Sequence, residues 1–214
     1  MTKRPLLACD CDEVILAFAQ PLVAHLAEEH ALTLSFDSFA LAGNIRDAHG
    51  KAVDPERIGD LIDHFFDHGM ARQTMVPGAA EALNTLSEDF DIVVLTNIKS
   101  RYREARRAQL LALDIDFDIV PNQGSKAPAL ARLLAERGHP PAVFIDDLPP
   151  HHEAMKVDLP AVHCVHMVAD KTLASMIPPA PAADTRIDHW PGATAHLRTL
   201  LAENRLASTA PASA

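Results

Sequence analysis

The sequence predicts an α/β protein: a mainly parallel sheet between helices, interrupted near its start by an inserted helical segment. Three observations predict it. Short apolar runs end abruptly in polar residues at "PLLACDCDE", "FDIVVLTN" and "PAVFIDD", as strands covered on both faces do. From Pro77 onward such runs alternate with helix-like segments, the rhythm of βαβ units. Between about Ala17 and Met75 the apolar spacing is helical and no convincing strand interrupts it.

The elements follow in order. The first strand is the run before Asp10. In the inserted segment Phe18, Leu22, Val23 and Leu26 keep a helical stripe, and "LAGNIRDAHGK" reads as a polar, glycine-punctuated loop. Asp54 is an N-cap candidate with Pro55 at the first helical position. Ile58, Leu61, Ile62, Phe65 and Phe66 then form one apolar helical face. "PGAAEALNTL" predicts a helix, "FDIVVLTN" a strand ending at Thr96 and Asn97, and a helix capped by Ser100 runs to about Leu113. "FDIV" is a short strand, "APALARLLAERG" a helix closed by Gly138, "PAVFIDD" a strand, and "AVHCVHMV" the last strand. The Pro- and Ala-rich stretch "IPPAPAAD" connects it to the helix "GATAHLRTLLAEN". The segments therefore divide as a discontinuous core over 1–16 and 76–206, an insertion over 17–75 and a flexible tail over 207–214.

A chain of 214 residues, 48% of them hydrophobic, can bury one well-formed domain with an insertion, and wholesale disorder is excluded. A formal charge of −10 argues against a nucleic-acid partner but not against small phosphorylated molecules. Three cysteines are too few for a disulfide framework. Cys9 and Cys11 read as small buried hydrophobes. Asp10 interrupts the apolar start too early for a signal peptide, and no run reaches transmembrane length. A cytoplasmic protein without a membrane partner is expected.

The polar strand ends carry the chemistry. A carboxylate beside a buried strand is costly unless its charge is compensated. Side-chain alternation puts Asp10 and Asp12 on one face, where a cation or a shared proton would separate them. Taken alone, the run is equally compatible with an acidic turn. Three such ends, Asp10 with Asp12, Thr96 with Asn97 and Asp146 with Asp147, can meet at one edge of a parallel sheet, where ligands bind. Lys126, in "GSKAP", precedes a helix. Carboxylates suit Mg²⁺, and a lysine with exposed amides suits phosphate oxygens.

With these four stretches in order, "DCDEV", "VVLTN", Lys126 and "VFIDDLPPHHEAM", the chain resembles the haloacid dehalogenase superfamily, in its phosphatase branch. The resemblance spans about residues 5 to 170. It implies a Rossmann-like three-layer core, and a Mg²⁺-dependent phosphatase for a small phosphorylated metabolite. Asp10 would be the nucleophile, forming an aspartyl-phosphate, and Asp12 the acid and base. Thr96 and Asn97 would hold the phosphoryl group, and Lys126 would balance charge. Mg²⁺ would sit among Asp10, the Asp12 carbonyl, Asp147 as principal acid and Asp146 beside it. The insertion would be a small all-helical cap of the C1 type, with Arg46, His49 and Lys51 as substrate contacts.

Two positions depart from the family pattern. Glu13 stands where many relatives have glycine and is expected to point to solvent. His151 stands where many carry Asp or Asn and is expected to be a loop histidine. In "HCVH" strand alternation sends His163 and His166 to opposite faces, against a metal site there. The rival functions are a phosphomutase on the same fold, a dehalogenase, disfavoured by the second acid Asp12, and a catalytically idle binding module.

Overall fold

A computed structural model describes residues 3–36 and 40–210. In chain order its elements begin with β1 (Leu6–Cys9), α1 (Ala19–His30), β2 (Thr33–Leu34), β3 (Ile45–Arg46) and α2 (Pro55–His68). There follow α3 (Ala79–Leu86), β4 (Asp91–Thr96), α4 (Arg103–Leu111), β5 (Asp118–Pro121), α5 (Ala127–Glu136) and β6 (Ala142–Asp146). The chain closes with α6 (Pro149–Asp158), β7 (His163–His166), α7 (Lys171–Met176), β8 (Thr185–Arg186) and α8 (Trp190–Ala202). Two compact units result: Met1–Ile15 with Met75–Ala214, and Leu16–Thr74.

The larger unit holds a six-stranded sheet in the order β5-β4-β1-β6-β7-β8. Every neighbouring pair is parallel. This is an α/β, Rossmann-like architecture. Its central strands are buried on both faces, which is why they read as unbroken apolar runs. Leu6, Ala8, Val93, Leu95 and Phe144 pack on one face with Leu130, Leu133 and Leu134 of α5 and Met155 of α6. The alternate residues Leu7, Cys9, Val94, Val143 and Ile145 are buried as well. On α8, Trp190 is fully buried and its indole Nε1 donates to the Val14 carbonyl at 3.0 Å. A polar ring atom that deep needs such a partner.

Two expectations about this unit change. β7 is not the last strand: Thr185 and Arg186 pair with Val165 and His166 as an edge strand. Two residues are too few to show a period in sequence. At the tail, Thr209 Oγ1 donates to the Pro140 carbonyl at 2.8 Å and Ser208 Oγ to that of His139 at 3.5 Å. These bonds tether residues 208 and 209, and residues 211–214 of the expected tail lie outside the described residues.

The smaller unit is not all-helical. β2 and β3 pair antiparallel, and Arg46 bridges Ala52. The expected loop "NIRDAHGK" is thus a hairpin. Asp47 Oδ1 accepts from the His49 and Lys51 amides, and Gly50 turns the chain at φ 76°. Strands of two residues, with Ile45 the one buried side chain of β3, leave no alternation to read. As expected, α2 is capped by Asp54, whose side chain accepts from the Glu56 amide, and it buries Leu61, Phe65 and Phe66.

Candidate active site

The sheet order makes the carboxyl ends of β4, β1 and β6 neighbours, so Thr96, Asp10 and the Asp146–Asp147 pair come from adjacent strands. β1 stops at Cys9 for a local reason. The Asp10 amide still bonds the Ile145 carbonyl at 2.9 Å, but Asp10 Oδ1 turns back to accept from the Cys11 amide at 2.7 Å. The chain then winds into a turn, with the Ile15 amide on the Cys11 carbonyl at 2.8 Å. Regular strand geometry therefore ends at Asp10, while the Asp12 charge still acts on the Asp10 carboxyl. Different cations hold the two acids.

Lys126 is the cation for Asp10. It sits at the N-terminus of α5, 1% exposed, with Nζ 2.7 Å from Asp10 Oδ1 and 2.7 Å from Asp146 Oδ2. Burial alone would lower its pKa, but the two carboxylates hold it above the ordinary lysine value. Asp146 is filled on its other oxygen too, accepting from the Leu148 amide at 2.9 Å. Against its burial, Lys126 keeps Asp146 below the usual carboxylate range. At Asp147 the opposing effect of Lys126 is outweighed. Burial, then the charges of Asp146 and Asp10, push its carboxyl well above the usual range. Burial also raises Asp10 to about 7 despite Lys126.

One lysine thus faces three carboxylates, those of Asp10, Asp146 and Asp147, whose oxygens lie within 4.8 Å of one another. Like charges this close and this buried call for a cation. An all-oxygen donor set fits a hard divalent ion. A second feature fits a ligand at the same edge: Thr96 is fully buried, yet its Oγ1 has no hydrogen-bond partner. An unpaired buried hydroxyl costs about 1–3 kcal/mol, which a bound oxyanion would recover.

Asp12 pairs with Arg106 of α4. Arg106 Nη2 lies 2.9 Å from Oδ1 and 3.2 Å from Oδ2, and Arg106 is fully buried. Against burial, the Asp12 charge holds the guanidinium above its ordinary pKa. Sequence reasoning missed Arg106. The signal was present, since Tyr102, Arg106 and Leu110 recur at helical spacing and all are buried. An arginine on an apolar stripe demands a carboxylate opposite.

The remaining predicted residues divide. Asn97 is exposed; its Nδ2 donates to the Gly124 carbonyl at 2.9 Å, and its Oδ1 accepts from Asn122 at 2.7 Å. It therefore braces the loop that leads to Lys126. His151 is in the first turn of α6 rather than in a loop, 3.3 Å from Asn97 Nδ2. Glu13 does not point to solvent: it is 5% exposed and takes a left-handed φ of 65°. Glycine adopts that conformation without strain, which accounts for glycine in the family pattern. Arg46, His49 and Lys51 lie exposed on the hairpin of the smaller unit. His163 and His166 do part to opposite faces: His163 meets His196 at 3.0 Å, while His166 is buried under Asp147. The Nδ1 of His166 accepts from the Ala180 amide, so its Nε2 carries the proton donated to the Asp147 carbonyl at 2.9 Å. No pattern in the sequence pointed to this support.

Lys126→Met leaves Asp10 and Asp146 buried and uncompensated. Without divalent cation we expect a loss of about 3–5 kcal/mol in unfolding free energy, read from urea titrations in chelator.

Comparison with solved structures identifies the fold. A hydrolase of the haloacid dehalogenase-like type from Bacillus subtilis, solved with magnesium, superposes with a TM-score of 0.62 at 16% identity, covering 92% of this chain and 99% of its own. The chain has the haloacid dehalogenase-like fold. A structure from Lactobacillus plantarum, described as a phosphoglycolate phosphatase, shares this fold with a TM-score of 0.59 at 15% identity, covering 94% of this chain and 100% of its own. A defluorinating L-2-haloacid dehalogenase shares it too, with a TM-score of 0.58 at 13% identity over 91% of this chain and 95% of its own. No protein-family model and no curated protein matches the sequence. In the haloacid dehalogenase-like fold of this chain, no helix among the described residues is long and apolar enough to cross a membrane.

Proposed function

We propose that this chain is a phosphatase that hydrolyses a small phosphorylated metabolite through an aspartyl-phosphate on Asp10, with Mg²⁺ held by Asp10, Asp147, Asp146 and the Asp12 carbonyl. The observation that carries the reading is the state of the Asp10 carboxylate. Lys126 and the Cys11 amide both engage Oδ1. Oδ2 accepts no hydrogen bond from any described residue, so it is the atom left to attack. The bonded oxygen orients the group, and the other forms the bond to phosphorus.

As that bond forms, the bond from phosphorus to the leaving oxygen breaks, and Asp12 gives that oxygen a proton. In the second step Asp12 takes a proton from water, the water oxygen bonds to phosphorus, and Asp10 is released unchanged. Thr96 Oγ1 donates to a phosphoryl oxygen, and the Asn97 amide is assigned to the same task. Lys126 carries charge balance as negative charge moves off Asp10. The cation, when bound, neutralises the acids and the phosphoryl oxygens. Arg106 holds the Asp12 carboxyl group in position for both proton transfers. The presence of Asp12 in a charge-matched setting favours phosphoryl transfer over dehalogenation.

Substrate contact is assigned to Arg46, His49 and Lys51 on their chemistry as basic residues of one exposed hairpin. The test is a panel of phosphorylated metabolites and 2-haloacids, each assayed with Mg²⁺ and with chelator. We expect phosphate release that requires Mg²⁺. Alanine at the three basic positions should change preference among metabolites more than the rate on a small generic ester. Halide release, or phosphate release undiminished by chelator, would overturn the reading.

A further inference from the structure

The smaller unit contains a second group of convergent ligands, made of nitrogen rather than oxygen. α1 carries His25 on its buried face beside Leu22 and Leu26 and ends at His30, while α2 brings His64 next to buried Phe65. His64 Nδ1 lies 2.9 Å from His25 Nε2 and 3.2 Å from His30 Nε2. Ligand atoms of all three rings fall within 4.8 Å of one another. We propose that His25, His30 and His64 form a binding site for one borderline divalent cation, of which Zn²⁺ is the type.

Hydrogen bonding accounts for this geometry only in part. An imidazole nitrogen has one proton or one lone pair, so His64 Nδ1 cannot pair fully with two nitrogens at once. Three lone pairs directed at a shared cation satisfy every contact. A tetrahedral zinc ion with Zn–N bonds of about 2.0–2.1 Å needs ligand nitrogens roughly 3.3 Å apart. The separation of 2.9 Å is a few tenths short of that and the one of 3.2 Å about matches it, within small ring movements.

The placement of His25 is built in. It is 1% exposed, and its Nδ1 has no hydrogen-bond partner, so its polar satisfaction rests on Nε2. Phe65 packs edge-on against the ring, with centroids 5.4 Å apart. At Gly69 a Cβ would lie 2.9 Å from His25 Nδ1 and 2.7 Å from Phe65 Cδ2, so the ring occupies space that only glycine leaves. Burial, then the neighbouring His64, lowers the pKa of His25 and of His30. An imidazole binds metal in its neutral form. Imidazole selects zinc, cobalt, nickel or copper over Mg²⁺, so this site and the acid group would not compete for one ion. Three protein ligands leave one position open. The exposed His68, one turn after His64, has its ring centroid 4.6 Å from that of His64.

The test uses untagged full-length protein, stripped with chelator and titrated with Co²⁺ alone. One equivalent should produce the intense visible bands of a four-coordinate nitrogen site, and Zn²⁺ should abolish them by displacement. In His30→Ala and His64→Ala, checked for folding by circular dichroism, Co²⁺ should bind at least about 100-fold more weakly. In Asp147→Asn the bands should persist. Absence of the bands, their survival in both histidine variants, or their loss in Asp147→Asn would each overturn the proposal.

Discussion

Asp10→Asn should lose turnover by about 10⁴-fold or more, while Asp12→Asn should lose about 10²–10⁴-fold and trap a covalent phosphate. The two losses differ in kind. An amide at position 10 has no anionic oxygen to attack phosphorus, so no intermediate forms on any substrate. The Asp12→Asn variant keeps the nucleophile, Lys126 and the acid group, and forfeits only proton transfer. On an ester whose leaving group needs little protonation, the first step suffers less than the second, and aspartyl-phosphate accumulates. Arg106 refines this expectation. With asparagine at position 12 a buried guanidinium loses its carboxylate, so the variant should also be less stable by about 3–5 kcal/mol. Rapid-quench mass spectrometry with an activated ester decides the point. Phosphate on a residue other than Asp10, or full turnover by Asp10→Asn, contradicts the assignment.

Asp147→Asn should have opposite effects on stability and on function. It removes a buried negative charge that faces Asp146 and Asp10, so in chelator its Tm should exceed that of the parent by about 2–4 °C. With Mg²⁺ present the parent should gain stability and the variant should not, and activity should fall by about 10²-fold or more. The acid group also fixes a pH dependence. In the folded protein without cation, Asp10 titrates at about 7 against an ordinary 3.8, so between these values the folded state keeps a proton that the unfolded chain has released. Stability from this group is complete below about pH 4 and is lost as pH rises through about 7. Saturating Mg²⁺ should flatten that fall. A Tm in chelator that rises from pH 4 to pH 7 would contradict it, as would an Mg²⁺ response that survives in Asp147→Asn.

What could be read in sequence was what rests on local pattern. The buried parallel strands announce themselves because both faces are covered, and each polar strand end marks a place where the chain must compensate a charge. Asp10, Asp146 and Asp147 were legible for that reason and Lys126 from its place before a helix, and the structure brings all four together. Arg106 was obscured among "REARR", where its burial depends on a partner 94 residues away. Glu13 was misjudged because a glutamate's chemistry favours solvent, whereas here the residue sits buried in a left-handed turn. The ribbon of β2 and β3 was invisible because two residues carry no period. The histidines of α1 and α2 look like ordinary helix residues until packing brings their rings together.

The position of β1 has one more consequence. Both of its partners, β4 and β6, come after the insertion, and β6 begins only at Ala142. During synthesis the first strand therefore waits, unpaired on both edges, while Leu16–Thr74 emerges as a continuous unit with its own contacts. Domains tend to fold as they leave the ribosome, so the inserted unit can be complete before the sheet that flanks it in sequence exists. Asp10, which directly follows the earliest strand, is among the last groups to reach its final surroundings. A nascent chain stalled before Ala142 would hold a finished insertion and lack the acid group of Asp10, Asp146 and Asp147.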